Sequence, residues 1–127
     1  MTSVHQGEKL SVDGALLATA MYSDGGVVNF NISDCTIHRN NGLLRILGDS
    51  KPGVVIVEFM DIDVPGEPVP MNWAEIEGAK VPYASGKGGR VDNLVNTSTK
   101  LSGKFNIRLK DHANEDVKFS GSFEFSL

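Results

Sequence analysis

Turn-forming residues recur at short intervals along this chain, and they limit every segment between them to the length of a β-strand. Asp24-Gly25-Gly26, Asn41-Gly42 and Pro52-Gly53 are typical of these signals. Gly and Asn tolerate the positive φ angles of tight turns, and Pro fixes the φ of a first corner. No amphipathic helical pattern separates the segments, so the spacing predicts an all-β fold. We expect a single antiparallel β-sandwich or flattened barrel of about 8–10 short strands, with residues 1–127 as one domain. The predicted strands lie at about 8–13, 16–22, 27–33, 35–39, 43–48, 54–62, 69–76, 79–84, 99–110 and 117–127.

The sharpest local signal is the pair Asn41-Gly42. Both central residues of a type I′ turn need positive φ, and Asn-Gly meets that need better than most dipeptides. We therefore predict a hairpin that pairs residues 36–39 with residues 43–47.

The segment Val54–Met60 is apolar at positions that face both ways along a strand. Such a run is typical of a central strand covered on both sides. A strand at a subunit contact is the alternative, because an apolar strand at a sheet edge invites pairing with a second chain.

Residues 72–77 carry a signal for one helical turn. Asn72 suits an N-cap, Glu75 stands three residues later as in a capping box, and Gly78 suits the C′ position. The segment predicts either at most one short helical turn or a strand.

A pattern of the form Ser-Gly-x-Phe-x-(Ile/Phe)-x-Leu occurs at residues 102–109 and again at residues 120–127. In each copy the large apolar residues fall on one face and the polar residues on the other. We predict a hairpin that turns through residues 111–116, with one buried and one wet face. The two glycines are expected to mark a bulge or a close approach of chains.

The chain opens with the Val12-Asp13-Gly14 turn and the segment 15–20 that follows it, and it closes with strands around Gly103-Lys104-Phe105 and Gly121-Ser122-Phe123. In these features it resembles small bacterial all-β proteins of unknown function, which are often secreted or lipid-anchored. In those proteins an opening VDG hairpin and closing G-x-F strands bracket a β-sandwich. The resemblance implies a fold and no catalytic residue. The N-terminal residues of the chain as given lack the basic and then apolar segment of a secretory leader, so localisation stays open.

Composition argues against several classes of function. A net charge of -4 is the wrong sign for a general nucleic-acid binder, and no apolar run approaches the roughly 18 residues of a membrane-spanning helix. Cys35 is the only cysteine, so the chain alone forms no disulfide and no thiolate metal cluster. The three histidines lack metal-ligand spacing, and Cys35 and His38 would point to opposite faces of a strand. The sequence predicts no metal, no cofactor and no catalytic residue.

Two carboxylate pairs, Asp61 with Asp63 and Glu75 with Glu77, each place both members on one strand face. Calcium ligands or the acid and base of a glycosidase would need such pairs. No specific calcium-loop pattern accompanies them, so a solvated acidic face is the simpler interpretation.

Charge is segregated along the chain. Residues 80–110 hold seven basic residues and one acidic residue, whereas residues 49–77 hold seven acidic residues and one basic residue. The simplest expectation is that the two segments lie against each other as cross-strand pairs. The alternatives are a dipolar surface that docks partners head to tail, or a basic face at Lys104, Arg108 and Lys110 for an acidic glycan or a partner protein.

Trp73 and Tyr83 flank a segment rich in Pro and Gly, which predicts either an exposed recognition loop or a core position for Trp73. Together these features predict a non-enzymatic binding or interaction module that acts through a charged face or a loop. The alternatives are a small hydrolase that uses paired carboxylates, and an assembly subunit that forms homo-oligomers by strand pairing. The candidate binding residues are Lys104, Arg108, Lys110, Trp73 and Tyr83.

Overall fold

The structure is a computed structural model that describes residues 8–127, and within that range eleven antiparallel strands form one sheet. The all-β prediction is confirmed. The strands are β1 (Glu8–Ser11), β2 (Asp13–Tyr22), β3 (Val27–Ile32), β4 (Cys35–Asn40), β5 (Leu43–Asp49), β6 (Val54–Met60), β7 (Val69–Glu77), β8 (Tyr83–Gly86), β9 (Arg90–Asn96), β10 (Lys100–Asp111) and β11 (Asp116–Ser126).

The pairing pattern closes this sheet on itself. Strands β1 and β2 are separated by Val12 alone, and β2 pairs with β3 while β1 pairs with β4, so residues 8–22 and 27–40 form one long hairpin. From β4 to β7 each strand pairs with the next. Strands β8 and β9 follow one line between β7 and β10, and β11 pairs with both β10 and β2. Eight long segments therefore form an up-and-down ring, which is the flattened-barrel form of the prediction.

The interior of the ring is a packed apolar core. The ring of Phe119 meets those of Phe30 and Phe105 edge-on, with centroids 6.1 and 5.2 Å apart, and Phe59 stacks on Phe123 at 5.6 Å. Among residues 12–127 no charged residue is buried, and Tyr22 is a core residue whose hydroxyl is buried. The charged side chains of these residues therefore lie on the outer surface and at the ends of the barrel.

The loop between β7 and β8 folds over one end of the ring. Ala79 and Val81 of this loop pack against the core. Lys80 between them forms an ion pair of 2.9 Å with Asp24, which lies in the β2–β3 turn on the opposite side of the ring. This ion pair holds the pKa of the Asp24 carboxyl below its usual value.

The loop between β6 and β7 closes the other end. Ile62 and Val64 pack against the core. The side-chain amide of Asn96 donates a hydrogen bond of 2.8 Å to Asp61, and Arg39 lies 3.5 Å from the same carboxylate. Arg39 also donates to Asn96 at 3.3 Å, so side chains from β4 and β9, on opposite sides of the ring, meet beneath the barrel.

Both predicted hairpins are confirmed. Asn41 and Gly42 have φ of 55° and 79°, and they join β4 to β5 with Asn40 opposite Leu43. The repeated Ser-Gly-x-Phe strands are β10 and β11, which pair along their length with Phe105 opposite Gly121.

Of the two alternatives for residues 72–77, the strand is confirmed and the helical turn is wrong, because these residues belong to strand β7. Trp73 lies opposite Glu58 and Met71 opposite Phe59, so Asn72 is the extra residue of a β-bulge. Ala74 and Ile76 are fully buried on the inner face. The burial of alternate side chains stabilises the strand more than the local capping signal stabilises a helical turn.

The predicted strand at 79–84 is misplaced, and the predicted strands include no counterpart of β9. Residues 78–82 form a loop, and the chain from Tyr83 to Val91 keeps one register against β7 on both sides of residues 87–89. An added Cβ at Gly86 or Gly89 would overlap a carbonyl oxygen of β10. These glycines therefore allow a close approach of two strands.

The Val12-Asp13-Gly14 segment is not a hairpin. Strands β1 and β2 run on in one direction through Val12, and they pair with β4 and β3 instead of with each other. The predicted turn is a bend within a long strand.

Strand β6 is central, as predicted, with β5 on one edge and β7 on the other. Its inner residues Val55, Val57 and Phe59 are fully buried, while Val54 and Ile56 are half-buried on the outer surface. Because β5 and β7 occupy both edges of β6, this strand has no free edge in the folded chain at which a second chain could pair.

Candidate functional site

A groove runs across the outer surface of β10, β11 and β2. It consists of two adjoining depressions of about 590 and 700 Å³ that share Leu17, Lys104 and Ser122 in their walls. The groove exists because the outward side chains of β11 at its centre are the small hydroxyls Ser120 and Ser122, whereas larger side chains stand on the strands to either side.

The first depression is lined by donors that lack a protein partner. Lys104 and Asn106 face outward from β10, and within residues 12–127 neither side chain has an ion-pair or hydrogen-bond partner. Opposite them, the Thr19 hydroxyl donates a hydrogen bond of 2.9 Å to the Asn29 side-chain oxygen. This bond directs the Asn29 oxygen toward Thr19 and leaves the two N–H groups of the same amide available.

The carboxylate nearest Lys104 already has a partner. Asp92 lies across from Lys104 on β9, and its side chain is 3.3 Å from the Arg90 guanidinium. The first depression therefore presents an ammonium, amides and hydroxyls, which together suit a ligand that carries negative charge and hydroxyl groups.

The second depression differs in charge. Its walls include Asp13 and Glu124 together with Ser102 and Lys104. Glu124 is 3.5 Å from the ammonium of Lys100 at the rim. An anionic group therefore fits best at the Asn106 end of the groove, and neutral hydroxyl groups fit best along the remainder.

The three basic residues of the predicted face on β10 have different surroundings. Lys104 lines the groove. Arg108 is exposed beyond its end and lies opposite another cation, Lys118 of β11. Lys110 forms an ion pair of 2.7 Å with Asp116 and lowers the pKa of that carboxyl.

Trp73 and Tyr83 lie on strands and not on the predicted recognition loop. Trp73 is half-buried on the outer face of β7, where its indole N–H donates 3.0 Å to Glu75. Tyr83 begins β8 opposite Glu77 and is 38% exposed. Neither lines the groove, so the structure does not bring these two aromatic residues together with Lys104.

The two carboxylate pairs also lie outside the groove. Asp61 and Asp63 follow the end of β6, and they accept hydrogen bonds from the side chain and the backbone of Asn96. Glu75 and Glu77 share the outer face of β7, where the contact with Glu75 raises the pKa of Glu77. The first pair holds the loop that closes the barrel, and the second lies on a convex strand surface.

The lone thiol is part of the core. Cys35 faces inward and is 2% exposed, while His38 faces outward, as predicted from the strand periodicity. Burial raises the pKa of the Cys35 thiol to about 11, which removes the thiolate that a nucleophile needs. In the part of the chain that the structure describes, no group of three or more His, Cys, Asp or Glu residues could hold a metal ion.

The two charged segments do not neutralise each other. Arg39 and Arg45 pair with Asp61 and Glu58 of the acidic segment. Lysines and arginines of the basic segment pair with Asp24, Asp92, Asp116 and Glu124. The two segments do lie against each other, since β7 pairs with β8 and β9, and Asn96 donates a hydrogen bond to Asp61. No ion pair between described residues links residues 49–77 to residues 80–110, so the expected cross-strand pairs of opposite charge are absent. The dipolar alternative remains.

Sequence reasoning missed Thr19, Asn29, Ser120 and Ser122 as groove residues. The repeated Ser-Gly motif was the available signal, because small outward side chains in a long strand leave a depression. The location of this depression next to β2 depended on the pairing of β11 with β2 that closes the sheet, and the positions of the strands along the chain do not specify that pairing.

Comparison of the chain with protein-family models, with curated proteins and with solved structures finds no match. Residues 8–127 include no helix with the length and apolar character needed to cross a membrane.

Proposed function

We propose that this protein is a non-enzymatic binding module that takes an acidic glycan chain in the outer groove. The observation that carries the proposal is the unpaired ammonium of Lys104 beside the unpaired amide of Asn106, at the edge of a groove floored by serines. Charge-assisted hydrogen bonds from an ammonium to a sugar carboxylate are about twice as strong as neutral ones.

The rest of the groove suits a carbohydrate. The amide of Asn29 and the hydroxyls of Ser120 and Ser122 supply donors and acceptors for sugar hydroxyls. Leu17, which is 48% exposed and borders both depressions, supplies an apolar surface for the C–H face of a sugar ring. The two depressions adjoin, so a ligand longer than one sugar can span them.

The polarity of the groove sets the order of the sugars. The acidic sugar lies at Lys104 and Asn106, and neutral sugars extend toward Ser102 and Ser126, where Asp13 and Glu124 would repel a second carboxylate. A glycan with isolated acidic units fits better than one that is acidic at every unit.

The test is calorimetric titration at low ionic strength with three soluble probes: an oligosaccharide with alternating uronic acid and neutral units, its carboxyl-reduced form, and a homopolymer of uronic acid. We expect the alternating oligosaccharide to bind most tightly. Lys104→Glu should weaken this binding by at least about tenfold, since it replaces attraction by repulsion at the acidic sugar.

The matched control is Lys51→Glu, which makes the same change of net charge in the exposed β5–β6 turn away from the groove. Equal effects of the two variants would indicate non-specific electrostatic attraction and contradict the proposal. Equal binding of the carboxyl-reduced probe would also contradict it.

A further inference from the structure

The eight segments of the ring divide into two halves with opposite surfaces. The strands β10, β11, β2 and β3 carry one half, and the strands β5 to β8 carry the other. Each half presents charged and apolar side chains in rows that cross the strands, and the two sets of rows have opposite charge.

The basic row crosses β10, β11, β2 and β3 and consists of Arg108, Lys118, Met21 and Val27, each opposite the next. Both cations are exposed, and neither has an ion-pair partner among residues 12–127. Met21 and Val27 are each 52% exposed, the highest values among the large apolar side chains of the described chain. The row does not line the glycan groove.

The acidic rows cross β5 to β8 in the same way. One row consists of Asp49, Val54, Glu77 and Tyr83. The row beside it places Leu47, Ile56 and Glu75 in register, with Ile56 half-buried at its centre. These rows combine three carboxylates with an apolar strip on the outer surface of β6.

Each half contains a like-charge contact that costs free energy in the isolated chain. Arg108 lies directly opposite Lys118, and like charges at such positions destabilise a sheet. The Asp116 carboxylate, whose pKa both cations help to lower, offsets only part of this repulsion because its ion pair is with Lys110. Glu75 and Glu77 lie close enough on β7 that the pKa of Glu77 is raised. An incoming charge of opposite sign would relieve either contact.

We infer that the acidic rows of one copy of this chain dock on the basic row of a second copy. The interface is heterologous, because the two docking surfaces differ. A docked pair therefore keeps one free acidic surface and one free basic surface, and association continues head to tail unless the rotation between copies closes a ring.

The size of the surfaces sets the expected strength. Four strands at about 4.8 Å each give a width of roughly 19 Å. Even a square patch of that width covers only about 360 Å², which is less than half of the ~800 Å² per partner of a standard stable interface. We expect weak, reversible association that depends on concentration and is reduced by salt, which screens charges over about 10 Å at 0.1 M.

Sedimentation velocity of the full chain tests the inference. At about 20 mM salt the mean mass should rise as the protein concentration increases toward about 1 mM, and about 0.5 M salt should shift the mass toward the monomer. A strictly monomeric mass at low salt and high concentration would overturn the inference, and so would association that salt strengthens.

Charge-reversed variants distinguish a head-to-tail arrangement from a symmetric dimer. We expect Asp49→Lys with Glu77→Lys, and separately Arg108→Glu with Lys118→Glu, each to weaken self-association at least about tenfold. A mixture of the two variants in equal amounts should restore association, because each reversed surface then meets a complementary one. Self-association of either variant at wild-type strength, or a mixture that stays monomeric, would contradict the arrangement.

Two further variants complete the design. Glu67 lies in the loop at the opposite end of the barrel, and Glu67→Lys should leave self-association unchanged. Lys104→Glu should weaken glycan binding by at least about tenfold while head-to-tail association persists, so failure of one proposal is distinguishable from failure of the other. Thermal unfolding of each variant confirms that the changes, all at exposed positions, leave the fold intact.

Discussion

The seam between β11 and β2 closes the barrel, and Gly121→Ala tests how tightly it is packed. Gly121 lies opposite Ala18 in this pair. An added Cβ would overlap the carbonyl oxygen of Leu17 and lie 2.8 Å from both Cα and Cβ of Ala18. These are atoms of β2 itself, so the strain is relieved only if the two strands separate.

The expected cost follows from what has to move. Overpacking a core position costs about 1–3 kcal/mol when side chains can adjust. Separation of two strands also weakens ladder hydrogen bonds, each with a net contribution of about 0.5–1.5 kcal/mol. We therefore expect Gly121→Ala to lower the free energy of unfolding by about 3 kcal/mol or more, which for a domain of this size lowers Tm by about 10 °C.

Gly103→Ala is the matched variant, because Gly103 holds the equivalent place in the other copy of the repeat. There an added Cβ would lie 2.8 Å from Cγ1 of Val91 and 3.0 Å from the ring of Phe123. These neighbours are side chains, so we expect a cost of about 1–2 kcal/mol. Both variants share the stabilisation of about 0.4–1 kcal/mol that Ala brings by restricting the unfolded chain, and their difference isolates the strain.

Urea unfolding followed by circular dichroism measures both free energies. Ser122→Ala, at an outward position beside Gly121, should lie within about 0.5 kcal/mol of the wild type. If Gly121→Ala were as stable as Gly103→Ala, the seam would be able to move apart without cost, and the argument from backbone contact would be refuted.

Three other predictions concern the core, one ion pair and the thiol. Phe119→Ala should lower the free energy of unfolding, measured in urea, by about 3–5 kcal/mol, because it removes the ring between Phe30 and Phe105. Met21→Ala should lower it by less than about 0.5 kcal/mol. Similar losses for the two variants would contradict the packing described. Lys110→Ala should raise the pKa of the Asp116 carboxyl, measured by NMR titration, toward its ordinary value, since the Lys110 ammonium is the largest cause of the lowering and Arg108 and Lys118 contribute less. Because the folded pKa of Asp116 is depressed, the ion pair stabilises the wild type at pH values above the unfolded pKa. This advantage over the variant should vanish as the pH falls through the folded pKa. An unchanged NMR titration would show that the ion pair does not form in solution. With the pKa of Cys35 at about 11, about 0.1% of the thiol is ionised at pH 8. A thiol reagent should therefore label Cys35 only after addition of urea. Rapid labelling of the native protein would show that the thiol is not buried.

Part of the groove could be anticipated from the sequence. The alternation at residues 102–109 places Lys104, Asn106 and Arg108 on one wet face, and the structure agrees. The difference between Lys104, which is unpaired in a groove, and Lys110, which is held by Asp116, arises from the neighbouring strand. Spacing along one strand carries no information about the residue opposite.

The aromatic residues illustrate the same limit. Trp73 and Tyr83 lie close to Pro and Gly residues, which favoured an exposed loop. In the fold, a bulge at Asn72 turns Trp73 outward on a regular strand, and the local turn signals instead belong to the two loops that close the ends of the barrel.

The sequence by itself determined most of the strands, their inward and outward faces, and the tight turn at Asn41-Gly42, because these depend on side-chain periodicity and on local φ preferences. Only the tertiary structure decided that β11 returns to β2, that the two charged segments find partners elsewhere, and that small serines become the floor of a groove. The physical reason is that closure, register and ion pairing join residues far apart in the chain. Their free energies depend on which strands become neighbours, and no local pattern specifies that choice.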